Sequence, residues 1–545
     1  MKLSTLEAGL KSRAAAAFAL EEGAIAGFHL AAPPPHISAD VSIAWPIAGA
    51  KLLRKPPLKI AEDFKAALGP EWAESANFGG PFEAESVPPG FVNLKFSDAF
   101  LFEALRDLEA PGCFARQEFK GEKINLEFVS ANPTGPMHLA SGRGATLGDS
   151  LARIFRALGA DVSTEFYVNN VGKQVELLGL SLKARRDGAE PPEGGYQGAY
   201  LKEMAASLPQ GSADWTDARF SEYAVTEMLK LHRADMKSFG VEFDRWFLES
   251  ELHAEGGPKK ALAALKERGM VYEKENAVWF GSSTELESDD KDRVLVKADG
   301  RNTYFLNDIA YHLNKYSRGF TRLIDIWGAD HHGYVPRMEA AVGALGAGKG
   351  VFKVIIHQQV ALKRGEELVK MSKRAGDFIS LKELVEDVGT DACRFFFAAR
   401  GPHTHLTFDV DLAKKKSNDN PVFYVQYVHA RISSIFANAA EKGLDPAAGF
   451  DRAKIFIRPE ERALMLKLLW LEKTLADCAR DFSPHHLTTY LSELAALFHS
   501  FYDKCKVLDP ENKEISAYRL FLLRHVQAII AKGLRLLGVS APERM

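Results

Sequence analysis

The stretch ANPTGPMHLASGRG, residues 131–144, decides the fold through its neighbours on both sides. Before it, INLEFV places Ile124, Leu126 and Phe128 in the two-residue period of a strand. After it, apolar residues recur at helical spacing as far as Gly159, where a helix would end, and DVSTEFYV follows as a second strand. This order predicts a βαβ unit whose turn lies at the carboxyl end of the first strand, the edge at which α/β sheets bind ligands.

A similar pattern returns further along the chain. RLIDIW reads as a strand that runs into GADHHGY and then into the helical VPRMEAAVGAL, and VFKVIIHQQVAL reads as one further apolar strand. This arrangement is typical of the second half of a split α/β sheet. Residues 180–300, between the two halves, form a mixed segment with the Gly/Pro-rich GAEPPEGGYQG, and we expect them to be an insertion into the sheet domain.

The two ends of the chain differ from the sheet pattern. A short alternating run at residues 91–96 predicts a half-buried strand in a first, α+β unit. The last part reads as helical, with two sets of residues that each share a face: Leu464, Leu468, Leu471 and Leu475, and Leu487, Leu491, Leu494, Phe498 and Phe501. The predicted organisation is an α+β domain over 1–112, a Rossmann-type parallel-sheet domain of the α/β class over 118–392, and an all-α domain over 393–545.

Composition limits the class of protein. A chain of 545 residues exceeds what one core supports, and 46% apolar with 26% charged residues is the profile of a globular protein. It has no apolar run of about 18 residues, the length that spans a membrane, and its start mixes acids and bases where a secretory signal would be apolar. We therefore expect a cytoplasmic protein with no membrane contact. Four scattered cysteines without a Cys-x-x-Cys pair argue against zinc and against disulfides.

A second short stretch, VKMSKRAG at residues 369–376, bears on the function of the loop at residues 131–144. Its central residues are Lys370, Met371, Ser372 and Lys373, and they stand between a strand candidate and a predicted helix. Two lysines on a flexible loop can converge on a triphosphate and stabilise the charge that develops as it reacts. Alone, such a run is a solvated surface feature as often as not. Paired with an upstream Pro-x-His loop on a βαβ unit, it favours a nucleotide site.

Together these features resemble the class I aminoacyl-tRNA synthetases, whose nucleotide signatures are a His-x-Gly-His loop and a Lys-Met-Ser-Lys loop. The resemblance is closest to the arginyl-tRNA synthetase family and covers nearly the whole chain. The segments that carry it occur in the expected order: LEFVSANPTGPMH, TYFLNDIAYH, GADHHGY, KMSKRAG, GTDACRFFFAAR, VQYVHARISSI and LLGVSAPERM. The resemblance implies a ligase that activates L-arginine with ATP as arginyl-adenylate and transfers it to the 3′ end of its tRNA.

The resemblance also implies an arginine site. The family's acidic, hydroxyl and amide ligands match Glu127, Ser130 and Asn132, and its second carboxylate, with a tyrosine one helical turn before it, matches Asp308 and Tyr304. A planar guanidinium offers paired N–H donors that a carboxylate accepts at two points. Lysine would leave acceptors unpaired in a desolvated pocket and so be rejected. We therefore predict that Glu127 and Asp308 share the arginine guanidinium.

An ATP site is the third implication of the resemblance. His138 would donate to a phosphate, Lys370 and Lys373 would neutralise the leaving pyrophosphate, and Mg²⁺ would arrive with the ATP. The further predicted neighbours of the nucleotide are Pro136, Gly328, Asp330, Met371 and Ser372. These residues would place the nucleotide between the two signatures.

One signature departs from the family. Where the family has His-x-Gly-His, this chain reads His138, Leu139, Ala140 and Ser141. Ala140 adds a methyl group where close approach to the nucleotide favours glycine. Ser141 keeps a hydrogen-bond donor but loses the reach and the charge of imidazole. We predict that Ser141 is a working substitute in catalysis.

The end domains imply tRNA as the partner. The first resembles the family's module for the tRNA elbow, in which Asn93 is either a base contact or a strand-edge asparagine, and the last resembles the anticodon-binding module, with Met545 expected near the anticodon. We expect the protein to act as a monomer. Two alternatives stay open: a synthetase-like protein that binds tRNA without charging it, in which Ser141 marks decay, and a small-molecule adenylyltransferase with the same fold.

Overall fold

A computed structural model describes most of the 545-residue chain. The described residues are 3–25, 27–34, 36–69, 82–108, 118–281, 292–369, 379–445 and 449–545. Within these ranges no helix is long and apolar enough to cross a membrane.

The first part of the chain is an antiparallel sheet with helices. Its elements are α1 (Leu3–Ala17), a 3₁₀ turn (Glu22–Ala24), β1 (Leu30–Ala31), β2 (Val41–Ile43), α2 (Trp45–Leu53), α3 (Pro57–Ala67), β3 (Phe82–Val87), β4 (Phe91–Phe96) and α4 (Asp98–Asp107). The strands lie in the order β1-β2-β4-β3, and each pair is antiparallel. Val92, Leu94 and Phe96 are buried, which confirms the strand predicted from their alternation.

Asn93 lies in the interior of this sheet. It faces Ser42 on β2 and Glu85 on β3, and it is 8% exposed. Because β4 has a neighbour on each side, the interpretation of Asn93 as a strand-edge residue is wrong. Its contact with a tRNA base stays a prediction.

A five-stranded parallel sheet forms the middle of the molecule. Its region contains β5 (Lys123–Glu127), α5 (Leu139–Ala157), β6 (Asp161–Val168), α6 (Lys173–Arg186), α7 (Ala199–Ala206), α8 (Asp217–Ser238), β7 (Arg245–Leu248), α9 (Glu249–Ala254), α10 (Gly257–Glu267), β8 (Val271–Lys274), β9 (Ala277–Phe280), β10 (Arg293–Val296), α11 (Tyr304–Ser317), β11 (Arg322–Gly328), α12 (Val335–Ala344), β12 (Phe352–His357), β13 (Val360–Arg364) and β14 (Glu367–Val369), with 3₁₀ turns at Ser212–Asp214 and Ala329–Tyr334. The strand order is β12-β11-β5-β6-β7, and every pair is parallel.

The predicted βαβ unit is confirmed in β5, α5 and β6. Ile124, Asn125 and Leu126 are all buried, because helices cover both faces of a parallel sheet. α5 ends at Ala157, and Gly159 follows with φ of +96°, a conformation that favours glycine after a helix. The turn between β5 and α5 therefore lies at the carboxyl edge of the sheet.

The expected insertion is more closely tied to the sheet than the sequence indicated. β7 comes from the middle of it and pairs with β6 in the parallel sheet. Before β7, the helices α6, α7 and α8 pack around a small apolar core of their own. After it, β8, β9 and β10 form a separate antiparallel sheet.

The last part of the chain is mainly helical. Its elements are α13 (Leu381–Val388), α14 (Thr390–Ala398), β15 (Leu406–Asp409), α15 (Val410–Lys414), α16 (Pro421–Glu441), a 3₁₀ turn (Arg452–Lys454), α17 (Pro459–Leu469), α18 (Leu471–Arg480), α19 (His485–Lys504) and α20 (Lys513–Leu536). β15 pairs in parallel with β13, so among the described residues the chain becomes entirely helical only after Asp409. The predicted boundary at 392/393 falls inside α14.

Two runs predicted as single elements are each divided in two. VFKVIIHQQVAL forms β12, in the parallel sheet, and β13, in a sheet of order β14-β13-β15. Arg143, on α5, donates to the carbonyl oxygen of Gln358 at 2.8 Å and so fixes the break between these strands. The face that begins with Leu464 and ends with Leu475 is shared by α17 and α18. Its four leucines are nevertheless all buried.

Candidate active site

Polar residues predicted for the site gather at the carboxyl edge of the parallel sheet. β5 ends at Glu127, and Val129 and Ser130, just after it, have φ of 70° and 39°, so the chain turns sharply as it leaves the strand. Such backbone is uncommon for a β-branched residue and is concentrated at functional sites. Residues 131–138, here called the nucleotide loop, follow this turn and lead into α5. The loop thus lies where a sheet edge and a helix N-terminus face one ligand.

His138 caps the N-terminus of α5. Its Nδ1 accepts a hydrogen bond from the backbone N–H of Ser141 at 3.4 Å. Because Nδ1 accepts, the proton of the neutral ring is on Nε2, and this is the donor that the predicted phosphate contact requires. Ser141 lies in the first turn of α5 and is 6% exposed. The catalytic roles of His138 and Ser141 stay predictions.

Backbone hydrogen bonds join the nucleotide loop to the segment that follows the Lys-Met-Ser-Lys signature. His138 pairs with Ser380 in an isolated antiparallel bridge, and the N–H of Leu381 donates to the carbonyl oxygen of Met137 at 2.9 Å. Ser380 is the N-cap of α13. The predicted ATP residues Lys370, Met371, Ser372 and Lys373 lie outside the described residues. Ser380 and Leu381 therefore join the nucleotide loop to the segment that follows the second signature.

Glu127 belongs to a buried chain of charged groups. Its Oε1 accepts from the hydroxyl of Ser130 at 2.7 Å, and its Oε2 accepts from Nζ of Lys315. Lys315 also donates to Oδ1 of Asp325 at 2.8 Å, and Nε2 of His312 lies 2.9 Å from Oδ2 of the same carboxylate. Nδ1 of His312 lies 2.7 Å from the carbonyl oxygen of Asp308, so both ring nitrogens of His312 face oxygen atoms. Glu127 and Asp325 thus share the cation Lys315 between them.

Burial and pairing act in opposite directions in this chain of groups. Burial raises the pKa of Glu127, and Lys315 acts against that rise. Burial alone would lower the pKa of Lys315, but Asp325 and Glu127 outweigh burial, and that pKa is raised. The pKa of Asp325 is lowered, because Lys315 and His312 outweigh its burial. Lys315 therefore stays charged between its two carboxylates.

Asp308 is a second carboxylate of the site, with a different environment. It accepts a hydrogen bond from the hydroxyl of Tyr334 at 2.5 Å. Burial raises the pKa of Asp308 to about 6, the hydrogen bond from Tyr334 opposes this, and the charges of Glu249 and Glu127 add to the rise. Asp308 therefore lies close enough to both of these carboxylates for their negative charge to raise its pKa.

Glu249 is a third carboxylate, and sequence reasoning missed it. It is buried at the start of α9 and accepts from Nδ2 of Asn307 at 3.1 Å, and with burial it raises the pKa of Tyr167, which lies beside it. Nε2 of His253 lies 3.4 Å from its Oε1. Among the described residues no lysine or arginine is ion-paired with Asp308 or Glu249, whereas Glu127 has Lys315. The pocket thus contains two carboxylates without a strong cation.

A signal for Glu249 was present in the sequence. The apolar RWFL precedes it and forms β7, and its carboxyl end reaches the same sheet edge as that of β5. A glutamate directly after such a strand lies at the same edge of the sheet as Glu127, the last residue of β5. The strand was not recognised because four residues carry little periodicity.

Two predicted arginine ligands lie apart from the carboxylates. Tyr304 begins α11 and is 72% exposed, while the hydroxyls of Tyr334 and Tyr167 occupy the pocket instead. Asn132 is exposed, and its Nδ2 donates to Oε1 of Gln174 at 3.0 Å. Their contacts with arginine stay predictions.

The residues predicted to contact adenosine lie along the same edge. Gly328 ends β11 opposite His357, the last residue of β12, and Asp330 follows in the 3₁₀ turn. Burial, helped by the charge of Arg143, lowers the pKa of His357 to about 4. Pro136 lies in the nucleotide loop and is half-buried. Within the described residues no group of three or more His, Cys, Asp or Glu side chains could hold a metal ion.

The carboxyl terminus is tied to α14 and α16. Ser540 N–H donates to Asp391 at 3.0 Å, and Nδ1 of His429 lies 2.9 Å from the carbonyl oxygen of Pro542. Met545 is 54% exposed. The position of Met545 near an anticodon stays a prediction.

Comparisons with known proteins show what this chain is similar to. Residues 425–545 match the DALR anticodon binding domain family. The chain is 53% identical over 543 residues to the arginine–tRNA ligase of Elusimicrobium minutum, with 100% of each chain covered. It is 43% identical over 533 residues to the arginine–tRNA ligase of Thermotoga petrophila, with 95% of this chain and 96% of the relative covered. Thermus thermophilus arginyl-tRNA synthetase has the same fold, at a TM-score of 0.79 and 23% identity over 99% of this chain and 100% of that chain.

Proposed function

The chain belongs to the arginine–tRNA ligase family, and we propose that it activates L-arginine with ATP and joins it to the 3′ end of its tRNA. In the first step an oxygen of the arginine carboxylate bonds to the α-phosphorus of ATP, the bond from that phosphorus to the bridging oxygen breaks, and pyrophosphate leaves. In the second step a terminal ribose hydroxyl of the tRNA bonds to the activated carbonyl carbon, loses its proton, and AMP leaves. The protein's part in both steps is mainly positioning and charge stabilisation.

The observation that carries this proposal is the pair of carboxylates Asp308 and Glu249, neither of which is ion-paired with a lysine or arginine among the described residues. A guanidinium is planar and carries one positive charge, and its N–H groups can donate to two carboxylates at once. We assign the guanidinium to these two residues, with the hydroxyls of Tyr334 and Tyr167 orienting them. This differs from the sequence prediction, which paired Asp308 with Glu127.

Glu127 is better suited to the other end of the substrate. Both of its oxygens already accept one hydrogen bond, from Ser130 and Lys315, so a two-point contact with a guanidinium would compete with them. Glu127 ends β5 and so lies at the start of the turn that leads to the nucleotide loop. We assign Glu127, with Ser130 and Asn132, to the α-ammonium group of arginine, next to the carboxylate that reacts.

The nucleotide is assigned to the edge between the two signatures. His138 would donate from Nε2 to a phosphate, and Pro136, Gly328 and Asp330 would border the adenosine. Lys370 and Lys373 would neutralise the pyrophosphate as it leaves, with Met371 and Ser372 between them. Mg²⁺ enters as part of the substrate, bound to the phosphates of ATP, and we propose that zinc is not required.

The end regions are assigned to tRNA. Residues 425–545 match an anticodon binding domain, which supports a contact of the helical region with the anticodon. We propose that the N-terminal region, with Asn93, meets another part of the tRNA, that the protein acts as a monomer, and that it acts in the cytoplasm. Sedimentation of the protein with and without tRNA would test the monomer.

The deciding experiment is charging of an unfractionated tRNA pool with labelled arginine and ATP. We expect incorporation of arginine and none of lysine, since lysine leaves acceptors of the pocket unpaired. The variant Ser141→His, assayed in parallel, tests the alternative of a synthetase-like protein that binds tRNA without charging it. Binding of tRNA without charging, restored to charging by Ser141→His, would show a decayed relative that no longer makes aminoacyl-tRNA.

A further inference from the structure

Side chains on α7 and α8 of the helical insertion contact the backbone of the nucleotide loop. The hydroxyl of Tyr200, on α7, donates to the carbonyl oxygen of Thr134 at 2.6 Å. Nε2 of His232, on α8, lies 2.8 Å from the carbonyl oxygen of Gly135. Asp235, one helical turn further along α8, lies close enough to Met137 for the backbone N–H of Met137 to lower the pKa of its carboxylate against the rise caused by burial. Residues far along the chain therefore hold the backbone just before His138.

The insertion presents these groups from a core of its own. α6, α7 and α8 pack together through Val175, Leu178, Leu182, Leu201, Met204, Phe220, Ala224, Val225 and Met228. This core is separate from the core under the parallel sheet. The three polar groups are consequently fixed by packing that does not depend on the loop they contact.

The loop itself has few means of fixing its own shape. It contains Pro133 and Pro136, which have no N–H to donate. Its internal hydrogen bond joins the N–H of Thr134 to the carbonyl oxygen of Asn132 at 2.8 Å. A loop of this kind depends on outside partners for a single conformation, and the insertion supplies them on one side while Leu381 supplies one on the other.

His232 makes its contact in a defined protonation state. A carbonyl oxygen only accepts, so Nε2 carries the proton. Nδ1 is buried and has no hydrogen-bond partner among the described residues. Burial lowers the pKa of His232, and a second ring proton would have no acceptor. The ring is therefore neutral near pH 7 and acts as a constant donor.

We propose that Tyr200, His232 and Asp235 are positioning residues for ATP: they hold the nucleotide loop in the conformation that places His138 against the phosphates. The helical insertion is then a working part of the adenylation site. This inference rests on the proposed function, since it concerns the ATP of that same reaction.

The sharpest test is Tyr200→Phe, which removes one hydroxyl and little else. We expect the KM for ATP to rise about 3- to 10-fold, the effect of one lost hydrogen bond, while the KM for arginine and the Kd for tRNA stay within twofold. Initial rates of charging at varied ATP, with arginine and tRNA saturating, give this value. Tyr223→Phe is the matched control, because Tyr223 lies on α8 and its hydroxyl donates to Ser207, away from the loop.

His232 provides an independent test with a rescue. His232→Leu removes the donor to Gly135 and should raise the KM for ATP, whereas His232→Gln can place an amide N–H near the position of Nε2 and should restore most of the wild-type value. A merely structural role would not give this pattern, because both changes disturb the same buried position. Thermal unfolding of each variant shows whether the fold is retained.

Two results would overturn the inference. One is a KM for ATP in Tyr200→Phe within twofold of that in Tyr223→Phe while the unmodified protein charges tRNA normally. The other is an equal rise in the KM for ATP and for arginine, which would show a general loss of the site. Failure of the unmodified protein to charge tRNA would instead reject the proposed function, so the two failures are distinguishable.

Discussion

The arginine end and the nucleotide end of the site are held together by different kinds of chemical groups. The arginine end consists of charged side chains on regular elements, with Glu127 on β5, Lys315 on α11 and Asp325 on β11 joined in one buried chain. The nucleotide end consists of backbone, with Thr134, Gly135 and Met137 held by single hydrogen bonds. Buried charges tolerate no loss of a partner, whereas single neutral hydrogen bonds contribute little each. A single substitution should therefore impair the arginine end strongly and the nucleotide end only modestly.

The largest effect should follow removal of the central cation. Lys315→Met leaves Glu127 and Asp325 buried without their shared partner, and this should destabilise the protein by about 3–5 kcal/mol. The double variant Lys315→Met/Asp325→Asn removes one negative charge as well and should recover part of the loss. Urea unfolding, together with kcat/KM for arginine, measures both.

A surface ion pair supplies the matched control for this prediction. Lys183 lies 2.7 Å from Asp217, with side chains 38% and 60% exposed. Lys183→Met should cost about 0–1 kcal/mol, because water already screens the pair. If Lys315→Met proved no more destabilising than Lys183→Met, the buried chain of charges would not be what makes the arginine end rigid.

The next effect concerns the carboxylate that the sequence did not reveal. Glu249→Gln keeps the shape of the side chain but removes its charge, and a guanidinium would then face one carboxylate instead of two. We expect kcat/KM for arginine to fall about 100- to 1000-fold, in the range for a desolvated charge pair, with the KM for ATP unchanged. Glu251→Gln, on the same helix and paired with Arg245 at 3.2 Å, is the control and should change neither value by more than about twofold.

A third effect depends on pH and separates the two ends directly. Because the pKa of Asp308 is raised to about 6, this carboxylate is charged above that pH and neutral below it. A cationic substrate needs the charged form, so kcat/KM for arginine should fall about tenfold for each pH unit below about 6. Burial lowers the pKa of His232, and its Nε2 carries a proton in both the neutral and the charged ring, so its contact with the nucleotide loop does not depend on this titration.

A single variant should move this pH dependence. Tyr334→Phe removes the hydrogen bond that lowers the pKa of Asp308, so the fall in kcat/KM should begin at a higher pH. Tyr316→Phe, whose hydroxyl donates to Gly346 near the carboxyl end of α11, should leave the profile unchanged. A profile that is the same in both variants would assign the titration to a group other than Asp308.

The contrast between the ends also explains what the sequence could predict. The βαβ unit and the nucleotide loop were predictable because strand, turn and helix signals are local and adjacent in the chain. Asp308 and Glu127 could be singled out only through resemblance to a family. Local pattern carries no information about which side chains meet across the fold.

Long-range pairing accounts for what was missed. Lys315 and Glu127 are 188 residues apart, and Arg143 is 215 residues from Gln358, where it breaks the run predicted as one strand. A lysine within a helical pattern reads as a solvated residue, and its burial depends on carboxylates from two strands. Glu249 was hidden for the same reason, since its strand β7 is short and is recognised only by its pairing with β6.

The smallest effect is expected at the altered signature. Ser141 lies in the first turn of α5, where one neutral hydroxyl can offer a single hydrogen bond, so Ser141→Ala should lower kcat about 5-fold. Ser150→Ala is the control, because Ser150 is buried on the same helix and its hydroxyl has no partner among the described residues. If both variants kept full kcat, the hydroxyl of Ser141 would have no catalytic role. His138 would then be the only group of this signature to act on the phosphates, and the nucleotide end would depend even more on how the insertion holds the loop.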